Sequence, residues 1–314
     1  MKKIIAVVSL VTVLAFSLTG CMTLRNIPFG NTLVNGEKYT AGDRTITDKV
    51  TGIDIDWASG SVTVKPHDAD TIEIRETVSP DDISDDERVQ SWVDGTTLRI
   101  AYEKTKSVSL FSINNVKKDL EVLVPASASY SFLDVDAASA AVSIEGMDTE
   151  GLAVNAASGE VVIKDTRAGK AELGSASGSM TMKGCTAGTL EIDTASGTLN
   201  IDCDAGELDF SAASGKIFYE TDAPVDRIRT SSTSGAQKLS FFAAPKKAEI
   251  QSASGNVEIL LPKDAGFSAK IDTASGKVSY DLPMAKEKNR YIAGDGSAEF
   301  DIDTASGDVR FTVK

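Results

Sequence analysis

Residues 191–202 read EIDTASGTLNID, and the core Asp-Thr-Ala-Ser-Gly recurs at 193–197, 272–276 and 303–307. Looser copies such as NAASGEVVI at 155–163 and QSASGNVEI at 251–259 lie between them. The corner serine stands at Ser139, Ser158, Ser177, Ser196, Ser214, Ser234, Ser254, Ser275 and Ser306, with steps of 19, 19, 19, 18, 20, 20, 21 and 31. A further copy sits upstream at Ser59. Glycine follows every one of these serines except Ser139, where Ala140 takes its place. A sustained period of this length is the signature of a repeat architecture.

Reading outward from Ser196, Leu190 and Ile192 stand six and four residues before it, and Leu199 and Ile201 three and five after. The same four offsets are apolar in every copy except at Thr230 and Gln237. Spacing by two on both sides of the turn indicates strands, not helices. Each repeat is therefore strand, Ser-Gly corner, strand. Second corners follow at Ala168-Gly169, Ala187-Gly188 and Ala205-Gly206, then at Pro224, Pro245 and Gly266. One such coil cannot bury its own apolar face, whereas coils stacked about 4.8 Å apart can. The expected fold is all-β, a parallel β-solenoid of about ten coils with a repeat near 19 residues. A β-sandwich is the alternative, but sandwiches rarely hold one corner tripeptide at a fixed period. Thr230 and Gln237 flank a single turn, which predicts a bulge or slipped register there.

Within the corner, Gly is expected to supply positive φ. Ala points into the bend, and the Ser hydroxyl bonds turn backbone or the next Ser in the stack. The Asp three before Ser (Asp56, Asp136, Asp193, Asp272, Asp303) is expected to cap turn N–H groups. Two segments break the repeat. Residues 46–125 read as an N-terminal β unit covering one end of the solenoid, which itself spans 126–314 as one continuous domain with that unit. The unit holds the strands TLRIAY (97–102) and DLEVLVP (119–125). Its acidic insertion, SPDDISDDERVQSW at 79–92, predicts a helix with Ser79 as N-cap, Pro80 at the first helical position and acids in the first turn. Near the other end, MAKEKNRYIAGDG at 284–296 lengthens the last step, as an end cover or a contact surface.

The chain starts with Lys2 and Lys3, an apolar run from Ile4 to Phe16, then Leu18-Thr19-Gly20-Cys21. That run is short for a membrane span and fits a secretion signal. Leu-Thr-Gly-Cys resembles the lipobox of bacterial lipoproteins. The resemblance implies cleavage before Cys21, a diacylglyceryl group on its thiol and an acyl chain such as palmitate on its amine. Residues 1–20 are then a signal peptide and 21–45 a lipidated tether. The expected location is the extracytoplasmic side of a cell membrane, held by lipid. The formal net charge of −14 argues against nucleic acid, whose binding needs Lys and Arg to neutralise phosphates.

The repeated Ser invites a catalytic reading, but a nucleophilic Ser needs a base within reach. The chain has one histidine, His67, in a loop-like stretch. Outward acids form rows beside the Ser column. Asp134, Asp136, Glu172, Glu191, Asp193 and Asp209 outline a face that could hold a divalent cation weakly, meet a cationic partner, or simply be solvated. Cys185 and Cys203 fall at equivalent places in adjacent coils. A disulfide between them and two stacked free thiols both remain open. Nothing in the chain calls for a cofactor.

The Asp-x-Ala-Ser-Gly corners followed by alternating Val, Ile and Leu resemble the putative-adhesin family of bacterial cell-envelope proteins, a domain of unknown function often carried on lipoproteins. The segments DLEVLVPASASYSFLDVDAASAAVSI (119–144) and FDIDTASGDVRFTV (300–313) carry the likeness best. The resemblance implies a non-enzymatic structural or binding module and supplies no catalytic residue. Its partner would be an envelope protein or a glycan. An accessory role in envelope-stress sensing and a polysaccharide-active enzyme are the alternatives.

Overall fold

The structure, a computed structural model, describes residues 33–79, 82–104 and 117–314. The signal peptide, Cys21 and most of the tether therefore lie outside the described residues. The fold is an all-β parallel solenoid, and the chain divides into two compact units, one ending at Lys170 and the other running Ala171–Lys314. The division falls well past residue 125, where the sequence placed the change from cover to repeats.

In the first unit the Ser59 coil is one strand, Gly52–His67, that continues through its corner. It pairs in parallel with Tyr130–Glu145, with Ile53 opposite Leu133, Ser59 opposite Ser139 and Val64 opposite Ile144. Residues far apart in sequence are thus direct neighbours, held in register by the shared apolar offsets. The other edge of the Ser59 coil is taken by Thr97–Ala101 and Lys117–Pro125, also parallel, with Leu98 opposite Ile53 and Leu120 opposite Val62. Those two strands make an extra coil without a Ser-Gly corner. Antiparallel strands cover it: Ile72–Ser79 on Lys117–Pro125, and Gln90–Asp94 on Thr97–Ala101. Arg44–Ile46 and Thr40–Ala41 add one more strand to each. Changing the strand direction ends the parallel template and protects the edge.

Two expectations are corrected here. The tether does not reach residue 45, because residues 36–46 already hold a 3₁₀ turn, Gly36–Lys38, and two paired strands. The acidic insertion makes a single turn, not a helix led by Ser79, which ends the strand Ile72–Ser79. The capping role passes to Ser84, whose N–H and Oγ both bond the Glu87 carboxylate at 2.8 Å. Beneath this turn Lys118 is 1 % exposed. Its ammonium donates to Glu76 Oε1 at 2.9 Å and to the carbonyls of Glu87 and Tyr102, and it lies 4.0 Å from the Tyr102 ring centre. All three ammonium donors are thus used, as a buried cation requires.

In the second unit one strand, Met180–Glu220, runs through the Ser196 and Ser214 corners and the second corners Ala187-Gly188 and Ala205-Gly206. It pairs in parallel with Arg227–Ser234 and Gln237–Ser240, placing Leu208 opposite Ile228, Ser214 opposite Ser234 and Ile217 opposite Gln237. The register is therefore intact at the turn where a bulge or slip was expected. Thr230 and Gln237 are 0 % and 1 % exposed and satisfy each other: Thr230 Oγ1 donates to Gln237 Oε1 at 2.5 Å, and Gln237 Nε2 donates to the Gln251 carbonyl at 3.0 Å. The two apparent errors in the apolar pattern are one hydrogen-bonded pair across the interior.

The coils of this unit do not stack in sequence order. Lys247–Ser252 pairs with Ala298–Thr304, and Ala298–Thr304 pairs in turn with Phe267–Thr273. The partner strands agree: Val257–Leu261 lies on Val309–Val313, which lies on Val278–Tyr280. The last coil in the chain is therefore inserted between the Ser254 and Ser275 coils. The long final step serves this insertion. Met284–Glu287 and Arg290–Ala293 form a hairpin whose second strand covers Phe267–Lys270 antiparallel, after which the chain enters the slot. Phe267, Phe300 and Phe311 stack around the insertion, with ring centres 4.8 Å apart for the first pair and 5.2 Å for Phe267 and Phe311.

All the periodic inward positions are buried, except Val278 and Tyr280. These two lie in the Ser275 coil, where the strand Val278–Tyr280 has only Val309–Val313 as a partner among the described residues.

Candidate functional site

The corner column is built for stacking. Ser158, Ser196, Ser254, Ser275 and Ser306 donate through Oγ to the carbonyls of Ala138, Ala176, Thr233, Ala305 and Ala253, at 3.3–3.5 Å. Each acceptor is the residue just before the corner Ser of a neighbouring coil. These hydroxyls thus join coil to coil. Ser59 instead bonds the Tyr102 hydroxyl at 3.0 Å, and His67 Nε2 donates to the Thr71 carbonyl at 2.6 Å.

Two expected roles change. Positive φ holds at Gly197 (138°), but the more general demand is space: a Cβ on Gly235 would stand 1.7 Å from the Gly215 carbonyl oxygen. Corner glycines are required by the close approach of adjacent coils. At two corners the turn N–H is capped by the hydroxyl residue two before Ser. Gly276 N–H donates to Thr273 Oγ1 at 2.8 Å, and Gly255 N–H to Ser252 Oγ at 2.9 Å. Asp136 accepts from the Asn155 side chain of the neighbouring strand, and Asp272 from the Asn289 side chain in the hairpin turn, both at 3.0 Å.

Of the acidic-face residues, Asp134 and Asp136 lie in the first unit, and Glu172, Glu191, Asp193 and Asp209 in the second. Burial raises the Asp193 carboxyl above its ordinary range, opposed by a bond from Ser211 and reinforced by Asp209 and Glu191. Burial also raises Asp209, against the pull of Arg229. Further along the stack the rows are interrupted by bases. Arg229 reaches Asp209 at 3.6 Å and Glu249 at 3.0 Å, while Lys270 reaches Asp272 at 3.0 Å and Asp301 at 3.2 Å. Among the described residues no three His, Cys, Asp or Glu side chains converge so as to hold a metal ion.

Cys185 and Cys203 are buried and are not joined in a disulfide. Burial pushes the Cys203 thiol up to about 12, with Cys185 and the neighbouring acids adding to the rise. Such a thiol is a poor nucleophile in the folded chain. Tyr219 closes over this column and donates to the Cys203 carbonyl at 3.2 Å.

A recessed surface lies elsewhere in the second unit. It is a groove of about 640 Å³ on the sheet that follows the corner serines, within the usual range for ligand sites. Thr181, Asn200, Phe218 and Lys238 line it, each four residues after its corner Ser, with Lys183, Asp202, Glu220, Ser240 and Leu260 two residues further on. Val313 and Lys314 form a wall. Lys314 Nζ holds that wall in place, 3.3 Å from Glu220 and 3.6 Å from Asp222, and bonded to the Thr221 carbonyl at 3.4 Å. Phe218 is 37 % exposed and Val313 42 %, so the groove offers apolar surface between polar side chains. The sequence carried one signal for it. In KIFYE (216–220) strict alternation turns Tyr219 inward and must leave Phe218 outward.

Two solved structures share the fold at low identity. One is described as a "Putative lipid binding protein" from Parabacteroides distasonis ATCC 8503, with TM-score 0.52, 14% identity, and coverage of 87% of this chain and 96% of that one. The other, a "putative adhesin" from Parabacteroides merdae ATCC 43184, gives TM-score 0.50, 16% identity, and coverage of 87% and 96%. At such identities the likeness concerns the fold alone. No curated protein matches the sequence. Residues 50–312 match the family Toastrack DUF4097, nearly the whole described chain, and the protein belongs to that family.

Proposed function

We propose that the protein is a non-enzymatic, lipid-anchored binding module of the bacterial cell envelope, and that the groove around Phe218 is its contact surface. The observation that carries this reading is an exposed aromatic ring set among polar side chains on rigid, doubly paired strands. Such a surface is preorganised and loses little entropy when it binds. The adhesin-like fold of its structural neighbours is consistent with it.

The groove does contain two carboxylates, Asp202 and Glu220. Both are exposed, and Glu220 is paired with Lys314. A glycosidic general acid must hold its proton near neutral pH, which calls for a carboxyl buried against apolar walls. Neither residue has that setting. The Leu18-Thr19-Gly20-Cys21 signature supports the lipid anchor, since two or more acyl chains hold a soluble domain stably on a membrane.

Two measurements test the reading. Cys21→Ser should move the protein from the membrane fraction to the soluble fraction, and unchanged membrane association would defeat the anchor. Retention of the full chain on purified envelope fragments should fall at least tenfold in Phe218→Ala. Equal retention would remove the groove as the contact surface.

A further inference from the structure

We propose that the ligand of this groove is a neutral oligosaccharide, lying across the coils with one sugar stacked on Phe218. The proposal rests on the binding-module reading above and names the ligand class of the same site.

Four features of the groove point to this class. The Phe218 ring in its lining is 37 % exposed and suits the apolar C–H face of a pyranose ring. Around it stand short polar side chains: the Thr181 and Ser240 hydroxyls and the Asn200 amide both donate and accept, and the Asp202 carboxylate accepts, the groups that bond vicinal hydroxyls. They come from three coils, Asn200 and Asp202 from the same one, and adjacent coils lie about 4.8 Å apart, close to the advance of a glycan per sugar. The charges nearly cancel: Lys183, Lys238 and Lys314 face Asp202 and Glu220, and two of these lysines are already committed, Lys238 to Glu258 at 3.5 Å and Lys314 to Glu220 at 3.3 Å. A polyanion or polycation would find no net field to bind.

Other occupants fit less well. An acyl chain needs an enclosed apolar tunnel, whereas Phe218, Leu260 and Val313 are separate apolar spots among charges on an outer sheet face. An extended peptide gains affinity by adding to a sheet edge, but the strands under the groove are paired on both sides: Ile217–Glu220 lies on Gln237–Ser240, and Gln237–Ser240 on Val257–Leu260.

The test is calorimetry on the full chain with chitotetraose, cellotetraose, maltotetraose and mannotetraose, beside decanoate vesicles and an unstructured peptide. At least one tetrasaccharide should bind. Phe218→Ala should weaken that binding at least tenfold, Phe218→Tyr should keep it, and Phe242→Ala, an exposed ring outside the groove, should leave it unchanged. A thermal melt of Phe218→Ala matching the parent shows that lost binding is not lost folding. Silence from every sugar, or binding indifferent to Phe218→Ala, overturns the proposal. If the sugars are silent while envelope retention still depends on Phe218, the glycan class fails and the binding-module reading stands. If the bound tetrasaccharide is cut to shorter products, the ligand class stands and the non-enzymatic reading fails.

Discussion

At Gly235 the distance that matters is the one from a missing Cβ to the next coil. Any side chain there would press on the Gly215 carbonyl oxygen of the adjacent coil. Gly235→Ala is therefore expected to cost about 2 kcal/mol or more, by forcing two coils apart; a urea melt measures it. Thr230 and Gln237 make the opposite case, polar residues in an apolar slot that are safe only together. Thr230→Val or Gln237→Leu alone should cost roughly 1–3 kcal/mol, because each strands a buried partner. The double variant should recover most of that loss, and simple additivity would show that the pair is not coupled. Asp193 and Asp209 bear on pH. Their carboxyls are raised above the ordinary range by burial, so the folded chain holds those protons more tightly than the unfolded chain. Their contribution to stability is present at low pH and is lost as pH rises through the raised folded values. Asp193→Asn should flatten that part of the stability profile and raise the neutral Tm by no more than roughly 2 °C. A lower neutral Tm would contradict the assignment.

The elements at the C-terminal end show what the period could and could not convey. Inward positions, corner sites and strand direction were all legible from the spacing around Ser196, because burial imposes period two on every strand. The order of the coils was not. Coils that share one apolar pattern pair equally well with any neighbour, so the pattern cannot say that residues 298–313 lie between the Ser254 and Ser275 coils. The only trace was the long final step, and it reads equally well as a plain loop. The insertion makes a sharp prediction. Ending the chain after Asp295 removes an interior coil and leaves its neighbours two spacings apart, about 9.6 Å. Residues 171–295 should then lose cooperative melting and become protease-sensitive. A cooperative melt with only a proportionate loss of stability would mean that the last coil is a dispensable end. The corner roles were misassigned for a related reason. Asp, Thr and Ser in DTASG can all cap a turn, and only the local turn geometry decides that Thr does so, as at Thr273.

For the whole molecule, membership of the Toastrack DUF4097 family and the solenoid fold follow from the same repeat. The functional surface does not. The groove depends on which outward residues the coils bring side by side and on where the last residues, Val313 and Lys314, come to rest, and outward positions obey no period that a core would enforce. The acidic rows, conspicuous in the sequence, are instead crossed by Arg229 and Lys270. The central claim is that recognition happens at the groove and not on those rows. Hydroxyl-radical footprinting of the full chain, with and without bound envelope fragments, tests it most directly. The account predicts that Phe218 and Leu260 become protected while Phe242 and Tyr280 stay reactive. Protection confined to the strands bearing Asp193 and Asp209, with Phe218 unchanged, would contradict it.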